Sequence, residues 1–212
     1  MSEPEHARQD GERSSHSLRR VVRLAIPTLL WGLVAAGILY ALFWAERSPA
    51  DLEELDLAGV SEPHAVPATQ SVLPEQDEVI GVTVNGKHRA YSVSTLSDIT
   101  RHVVNDRVGE TPIAVTYCDR SNCAKVFRGE ANGQSLNVGI GGYLGTRAAG
   151  SLLLKLAGTR YRQDTGKAVG SAESLPLRES EITRTTWRQW RTEHPDSDVY
   201  DGSAEGQHHE TR

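Results

Sequence analysis

One uninterrupted apolar run, residues 24–44, contains no Asp, Glu, Lys, Arg or His and limits what this chain can form. An α-helix rises about 1.5 Å per residue, so a run of this length covers the hydrocarbon core of a bilayer, about 30 Å thick. Trp31, Tyr40 and Trp44 are aromatic residues suited to the headgroup boundary. A buried core helix is the alternative, but a core helix of this length normally has a polar face. We therefore expect one transmembrane helix over 24–44, with the lipid bilayer as its partner.

The charges on either side of this run predict its orientation. Arg19, Arg20 and Arg23 precede the run, whereas acidic residues dominate after it. An excess of arginine stays on the cytoplasmic side, so residues 1–23 are expected to form a cytoplasmic tail. A cleaved signal peptide is the alternative, but its apolar region is shorter, about 7–15 residues, and ends at a small-residue cleavage site. The sequence therefore predicts a single-pass protein of the cell membrane with an extracytoplasmic C-terminal domain.

Composition excludes several classes of function. The chain has 23 Lys and Arg against 28 Asp and Glu, a formal net charge of −5, and no large basic block. Phosphate binding along a nucleic acid needs clustered basic residues, so nucleic acid is not expected as a principal partner. Two cysteines are too few for a multi-disulfide scaffold or for a zinc site built from cysteine alone. Nothing in this composition predicts a protein partner.

The chain beyond the apolar run divides into three parts. Residues 45–76 are rich in proline and acidic residues and poor in aromatic residues, so they are expected to form a linker. Residues 77–200 are long enough for one folded domain. Residues 201–212 are expected to form a polar C-terminal tail.

Turn signals predict that strands dominate the folded domain. An Asn-Gly pair favours a β-hairpin because both residues can adopt a positive φ. A β-branched run over 113–117 predicts a strand, and a turn at 164–166 predicts a further hairpin. Residues 152–156 fit either a helix or a buried strand. The two Asn-Gly hairpins are expected to join 79–84 to 87–93 across Asn85-Gly86, and 124–131 to 134–140 across Asn132-Gly133.

Capping patterns predict two short helices. The first would begin with Thr95 as N-cap and Asp98 in capping-box position, and would extend to Val103. The second would begin with Thr186 as N-cap and end before Pro195. The predicted fold class is therefore α+β, mainly antiparallel β with two or three short helices, preceded by one transmembrane helix.

The two cysteines are the first candidates for chemistry. Cys118 and Cys123 are separated by Asp-Arg-Ser-Asn, a turn-forming sequence, so their side chains are expected to face each other. In an oxidising compartment they could form a local disulfide. A redox-active pair and a soft-metal site for Cu or Zn are the other interpretations, and the sequence leaves all three open.

Histidines are the second set of candidates. On the first predicted helix, His102 has Asp98 four positions before it and Asp106 four positions after it. A carboxylate that accepts a ring N–H fixes the tautomer, which suits a metal ligand or a general base. A solvated surface ion pair is the alternative. His194 ends the second predicted helix and is expected to be a capping or packed residue.

Three sequence blocks carry a resemblance to a known family. They are Val79-Ile80-Gly81-Val82 through Arg89-Ala90-Tyr91, His102-Val103-Val104-Asn105-Asp106 leading to Val115-Thr116-Tyr117-Cys118, and Thr185-Thr186-Trp187 with Trp190 and His194-Pro195-Asp196. In this order the region from Val79 to Tyr200 resembles the bacterial family known as domain of unknown function 3179. Many members look like Thr-Tyr-Cys-Pro-Leu-Cys at the cysteines, so this chain looks like a variant branch with C-x4-C. The resemblance implies no particular activity.

Together these observations predict a membrane-anchored extracytoplasmic domain that binds a soft metal, Cu or Zn, through Cys118, Cys123 and His102. One alternative is a thiol–disulfide or metal-dependent enzyme. The other is a structural adaptor held by a local disulfide between the two cysteines. Further candidate residues for the site are Asp98, Asp106 and His194.

Overall fold

The computed structural model describes residues 34, 37–40, 51–130, 133–146 and 150–203. The chain divides into two compact units, Met1–Pro49 and Ala50–Arg212. In the first unit, Val34 and residues 37–40 are helical, and the rest of the predicted transmembrane helix over 24–44 lies outside the described residues. No helix in the described part of the chain is both long enough and apolar enough to cross a membrane.

Strands make up most of the regular secondary structure of the second unit. Its strands are β1 (Leu52–Leu57), β2 (Val60–Ser61), β3 (Val66–Pro67), β4 (Glu78–Val84), β5 (Lys87–Ser92), β6 (Val103–Val108), β7 (Thr111–Cys118), β8 (Cys123–Arg128), β9 (Gly139–Leu144), β10 (Ser151–Leu156), β11 (Thr159–Arg162), β12 (Arg178–Ser180), β13 (Thr183–Thr186) and β14 (Asp198–Tyr200). Its helices are α1 (Val93–Leu96), a short 3₁₀ helix (Ile99–Arg101) and α2 (Trp187–Glu193).

These strands form three sheets. The first sheet has the order β1-β9-β10-β11, the central sheet β12-β8-β7-β6-β2, and the third sheet β13-β4-β5-β14-β3. Neighbouring strands are antiparallel except for two parallel pairs, β5 with β14 and β2 with β6. The predicted class, mainly antiparallel β with a few short helices, is therefore confirmed.

The central sheet is buried on both faces, which gives the unit two cores. All eight residues of β7 are buried, as expected for a strand covered on both sides. Ile113 belongs to a core shared with the third sheet, and Ala114 belongs to a core shared with the first. A smaller apolar cluster on the third sheet includes Trp187 and Trp190 of α2.

Local turn and cap signals are confirmed where they act within one element. β4 and β5 pair across Asn85 and Gly86, whose φ values are 51° and 73°. Helix α2 begins after Thr186, whose side chain accepts a hydrogen bond from the backbone N–H of Gln189. Tyr161 and Ala168 form an isolated antiparallel bridge across the predicted turn at 164–166. The ambiguous apolar run at 152–156 is strand β10.

The second predicted hairpin is wrong. Strand β8 pairs with β7 and β12, while β9 pairs with β1 and β10. The reason is burial, because Val126 belongs to one core and Phe127 to the other, so β8 is held inside the central sheet. A local turn signal does not determine which strands pair when burial favours another partner.

The first predicted helix is also wrong as a continuous element. Helix α1 is capped by Ser92, whose hydroxyl accepts from the backbone N–H of Thr95, so Thr95 lies inside the helix and does not cap it. Asp98 instead caps the 3₁₀ helix that follows. The chain then becomes strand β6 at Val103, because this β-branched residue is completely buried in the central sheet.

Residues 52–67 contribute three strands, which differs from the linker expected over 45–76. Strand β1 pairs with β9 along the edge of the first sheet, and Leu55 and Leu57 pack against its core. The composition of a segment indicates only how much apolar area that segment can bury by itself. Here the hydrogen-bond partners and the apolar surface come from sheets formed by the rest of the domain.

Candidate functional site

The candidate site lies where the 3₁₀ helix meets the turn between β7 and β8. A cavity of about 550 Å³ opens there. Its lining residues are Glu53, Leu55, Ile99, Asp119, Arg120 and Tyr143. The site therefore combines two carboxylates, a guanidinium and a phenol with an apolar wall.

His102 is buried at the base of this site. Its Nδ1 lies 2.8 Å from the carbonyl oxygen of Leu96, and its Nε2 lies 3.1 Å from Oδ1 of Asp119. A carbonyl oxygen can only accept, so the hydrogen on Nδ1 is assigned from this contact. Nε2 is left facing the carboxylate.

The ring is held on its other sides by aromatic edges and by the backbone. Tyr117 and Tyr143 meet it edge-on, with ring centroids 6.2 Å and 6.3 Å away. The backbone carbonyl of His102 accepts from the N–H of Tyr117 at 2.9 Å. The orientation of Nε2 is therefore fixed from several directions, as a functional imidazole requires.

Neither carboxylate expected to flank His102 does so. The Asp98 side chain accepts from the backbone N–H and the hydroxyl of Thr100, and these hydrogen bonds hold the pKa of Asp98 below its ordinary value. Asp106 lies on β6, where Arg89 donates to both of its oxygens at 2.8 Å. The i, i+4 spacing predicted a shared helix face, which is lost because strand β6 begins immediately after His102.

Asp119 supplies the carboxylate that the sequence analysis missed. Its Oδ1 accepts from the hydroxyl of Tyr143 at 3.1 Å in addition to facing His102. Burial raises the pKa of Asp119, but the hydrogen bonds from His102 and Tyr143 outweigh it and hold the pKa below its ordinary value. The side chain is still 47 % exposed. Asp119 is therefore an ionised carboxylate that is held by its contacts with His102 and Tyr143 and is accessible from the cavity.

Arg120 closes one side of the cavity. Its guanidinium lies 3.5 Å from the centroid of the Tyr143 ring and donates to Glu53 at 2.5 Å. Burial, with the charge of Asp119 and the hydrogen bond to it, raises the pKa of Tyr143 above its ordinary value. Tyr143 consequently stays protonated and remains a hydrogen-bond donor to Asp119.

Cys118 and Cys123 are direct cross-strand partners at the end of the β7–β8 hairpin. Both are free thiols; Cys118 is buried and Cys123 is half-buried. Opposed residues of an antiparallel pair have Cα atoms about 4.5–5.5 Å apart, within the range of about 4.4–6.8 Å that a disulfide spans. The Cys118 thiol donates weakly to the carbonyl of Gly150 at 3.5 Å. Burial is the largest cause that raises the pKa of Cys123, so its thiol is not activated as a nucleophile.

The structure separates the predicted ligand set into two neighbouring parts. Among the described residues, no three His, Cys, Asp or Glu side chains are grouped so as to hold one metal ion. His102 faces Asp119, and the two thiols face each other. Asp119 follows Cys118 directly in the chain, so the two parts share the end of β7. Adjacency to the cysteine was the sequence signal that could have identified Asp119.

The remaining candidates lie in other structural settings. His194 is the C-cap residue of α2, and its ring stacks on that of His88 with centroids 4.1 Å apart. Asp106 belongs to a buried cluster, in which it accepts from Arg89 and, at 2.6 Å, from the hydroxyl of Tyr91. Both arrangements are those of structural residues.

Comparison with known proteins identifies the family of the chain. Residues 58–210 match the model of the family described as "Protein of unknown function (DUF3179)". The chain belongs to this family. The matched region includes His102, Cys118, Asp119 and Cys123, so the family domain contains the candidate site apart from the wall formed by β1. No curated protein and no solved structure matches the chain.

Proposed function

We propose that this member of the family is a metal-binding module of the cell membrane. Its anchor is the apolar run at 24–44, and its domain lies outside the cytoplasm. The ion is a transition metal such as Zn or Cu, bound by Nε2 of His102 and the carboxylate of Asp119. The observation that carries this proposal is the buried His102 ring, anchored at Nδ1 with Nε2 facing a carboxylate.

The anchoring of the ring supports a role as a ligand. Histidines that bind metals almost always donate their other ring N–H to a backbone carbonyl or a carboxylate, which fixes the tautomer and raises the basicity of the ligating nitrogen. The 2.8 Å contact between Nδ1 of His102 and the Leu96 carbonyl provides this arrangement.

The separation of the two donors is also suitable. Nε2 and Oδ1 lie 3.1 Å apart. Two ligands bound to one ion at about 2.0–2.2 Å each, with an angle near 100°, stand about 3 Å apart. A metal ion can therefore lie between the two atoms with little movement of either side chain.

The other coordination positions face the cavity. Two protein donors leave room for water or for a small ligand. Open coordination positions suit a protein that receives or delivers a metal ion. They also suit a site in which the bound ion contacts a substrate.

The test is calorimetric titration of the full chain, in non-ionic detergent after chelator treatment, with Zn²⁺ and, under reducing conditions, with Cu⁺. Substituting His208 and His209 of the tail by Gln removes adventitious ligands from every protein compared. We expect one ion per chain and a loss of affinity of at least tenfold in Asp119→Asn. Asp196→Asn serves as the matched control and leaves the affinity unchanged.

The cysteine variants decide between ligand sets. If Cys118→Ser with Cys123→Ser abolishes binding while Asp119→Asn does not, the thiols are the ligands and the proposal is overturned. Absence of saturable binding of either metal also overturns it. For the anchor, a chain lacking residues 1–44 is expected to leave the membrane fraction, and its retention there contradicts the assignment.

The cysteine pair supports a second candidate function, a reversible dithiol. The direct register of Cys118 with Cys123 allows an intramolecular disulfide. The raised pKa of Cys123 favours a structural or slowly exchanging disulfide over a catalytic thiol. This candidate includes the adaptor held by a local disulfide.

A further inference from the structure

Two arginines stand directly opposite each other at the edge of the central sheet. Arg128 is the last residue of β8 and Arg178 the first of β12, and the antiparallel register pairs them. Side chains opposed in this way lie on one face of the sheet with Cβ atoms about 4.5–5.5 Å apart, and like charges in such positions are destabilising. Both side chains are exposed.

Neither guanidinium has a partner among the described residues. The side chains of Arg128 and Arg178 form no ion pair and no hydrogen bond within the described part of the chain. The same two strands show the ordinary arrangement a few residues away, where Lys125 of β8 donates to Glu179 of β12 at 2.7 Å. An opposite-charge pair is therefore possible between these two strands. At their end, Arg128 and Arg178 carry like charges instead.

The two arginines line a cavity of about 530 Å³. The other lining residues are Val84, Asn85, Thr111, Gly129, Glu130 and Pro176. Asn85 has a positive φ of 51°, and its amide donates to the hydroxyl of Thr111 at 3.4 Å. Two cations, an amide and a hydroxyl therefore surround a concave space, and Glu130 is the one carboxylate among the described residues that line it.

We propose that this cavity binds a phosphate group, held between the guanidinium groups of Arg128 and Arg178. A guanidinium presents its N–H donors in a planar fork that matches phosphate oxygens two at a time. A doubly charged phosphate neutralises both arginines and removes the repulsion between them. The phosphate can come from free inorganic phosphate or from a lipid headgroup, which shares the same chemistry.

The experiment is calorimetric titration of the full chain in non-ionic detergent with inorganic phosphate, at constant ionic strength set with chloride. We expect saturable binding of one phosphate per chain and a loss of at least tenfold in affinity for R128Q combined with R178Q. R128K combined with R178K keeps the charge but removes the fork, so it is expected to bind more weakly than the unaltered chain. Lys125→Gln, on the same strands, is the control and leaves the affinity unchanged.

Loss of folding does not confound this test, because replacing both opposed cations removes the repulsion between them and is expected to leave the unfolding midpoint unchanged or to raise it. The source of the phosphate follows from competition: stronger displacement by dihexanoyl phosphatidic acid identifies a lipid headgroup, and stronger binding of inorganic phosphate identifies the free ion. The proposal is overturned if phosphate does not bind saturably, or if the double Gln variant binds it as well as the unaltered chain.

Discussion

Nε2 of His102 lies 3.1 Å from Oδ1 of Asp119, although 17 positions separate the two residues in the chain. The contact depends on the pairing of β6 with β7, which brings the end of the 3₁₀ helix to the end of the neighbouring strand. It joins a completely buried imidazole to a carboxylate that is half exposed in the cavity. The pair therefore links the buried interior of the domain to the cavity in which we propose that a metal ion binds.

Removing the imidazole is expected to destabilise the domain. His102→Leu has similar bulk but removes the donor to the Leu96 carbonyl and one of the donors to Asp119, which keeps the hydrogen bond from Tyr143. A buried polar group left unpaired costs about 1–3 kcal/mol, so the free energy of unfolding should fall by about that amount in a urea titration. His64→Gln, at an exposed position, should change it by less than about 0.5 kcal/mol. Equal stability of both variants would contradict the structural role of the His102 contacts.

Stability should decrease with acidification because of His88. Burial is the main cause that lowers the pKa of His88, and the charge of His194 adds to it. Its Nδ1 meets the hydroxyl of Thr83 at 2.9 Å, and its ring stacks on His194 and meets the edge of Trp190. The folded state thus disfavours the charged ring, so stability is lost as the pH falls from the ordinary pKa of about 6.5 toward the lower folded value.

The measurement for this effect is the urea midpoint at several values between pH 8 and pH 5. Replacing His88 by Gln should reduce the loss of stability over this range, because the titrating group is removed. A pH dependence identical to that of the unaltered chain would show that His88 is not its source.

Gly81 should tolerate no larger residue. A Cβ at this position would lie 2.0 Å from Cζ3 of Trp190, so the indole of α2 rests directly on the glycine backbone. Overpacking of this kind typically costs about 1–3 kcal/mol, and Gly81→Ala should lower the free energy of unfolding by that amount. Trp190→Leu makes space, so the two substitutions together should cost less than the sum of each alone. Strict additivity would contradict the contact.

Oxidation should link the two cysteines within one chain. Cys118 and Cys123 give two hydrogens to a disulfide oxidant such as oxidised glutathione, which is reduced to two thiols while one protein S–S bond forms. Closing so short a loop should add about 2 kcal/mol to the free energy of unfolding. Thiol counting and intact mass before and after oxidation measure the product. Disulfides between chains, or two thiols that persist, would contradict the register.

The sequence predicted those features that depend on neighbouring residues. Asn85 and Gly86 determine their own turn, and Thr186 caps α2 through a contact three residues away. Asp98 illustrates the limit of such reasoning, because its Oδ1 accepts from the backbone N–H and the hydroxyl of Thr100 and does not form the capping box predicted for the first helix. The turn at Asn85-Gly86 and the cap at Thr186 could be predicted because both partners of each contact lie within one turn of the chain.

The sequence did not predict features set by strand pairing. The partner of β8 depends on two cores that exist only after three sheets assemble, so the Asn-Gly signal after it was misleading. Asp119 was missed for the same reason, because its contact with His102 requires the register of β6 on β7. The cysteine pair, in contrast, is joined by one short turn and could be anticipated from its spacing.

The most direct test of the metal-binding account is nuclear magnetic resonance of the imidazole nitrogens of His102. The full chain, labelled with ¹⁵N-histidine in detergent and assigned with a His102→Gln variant, is compared before and after addition of one equivalent of Zn²⁺. We predict that Nδ1 keeps its hydrogen, because it donates to the carbonyl of Leu96, while Nε2 binds the ion and its resonance moves. Nε2 resonances of His102 that remain unchanged at saturating Zn²⁺ would contradict it.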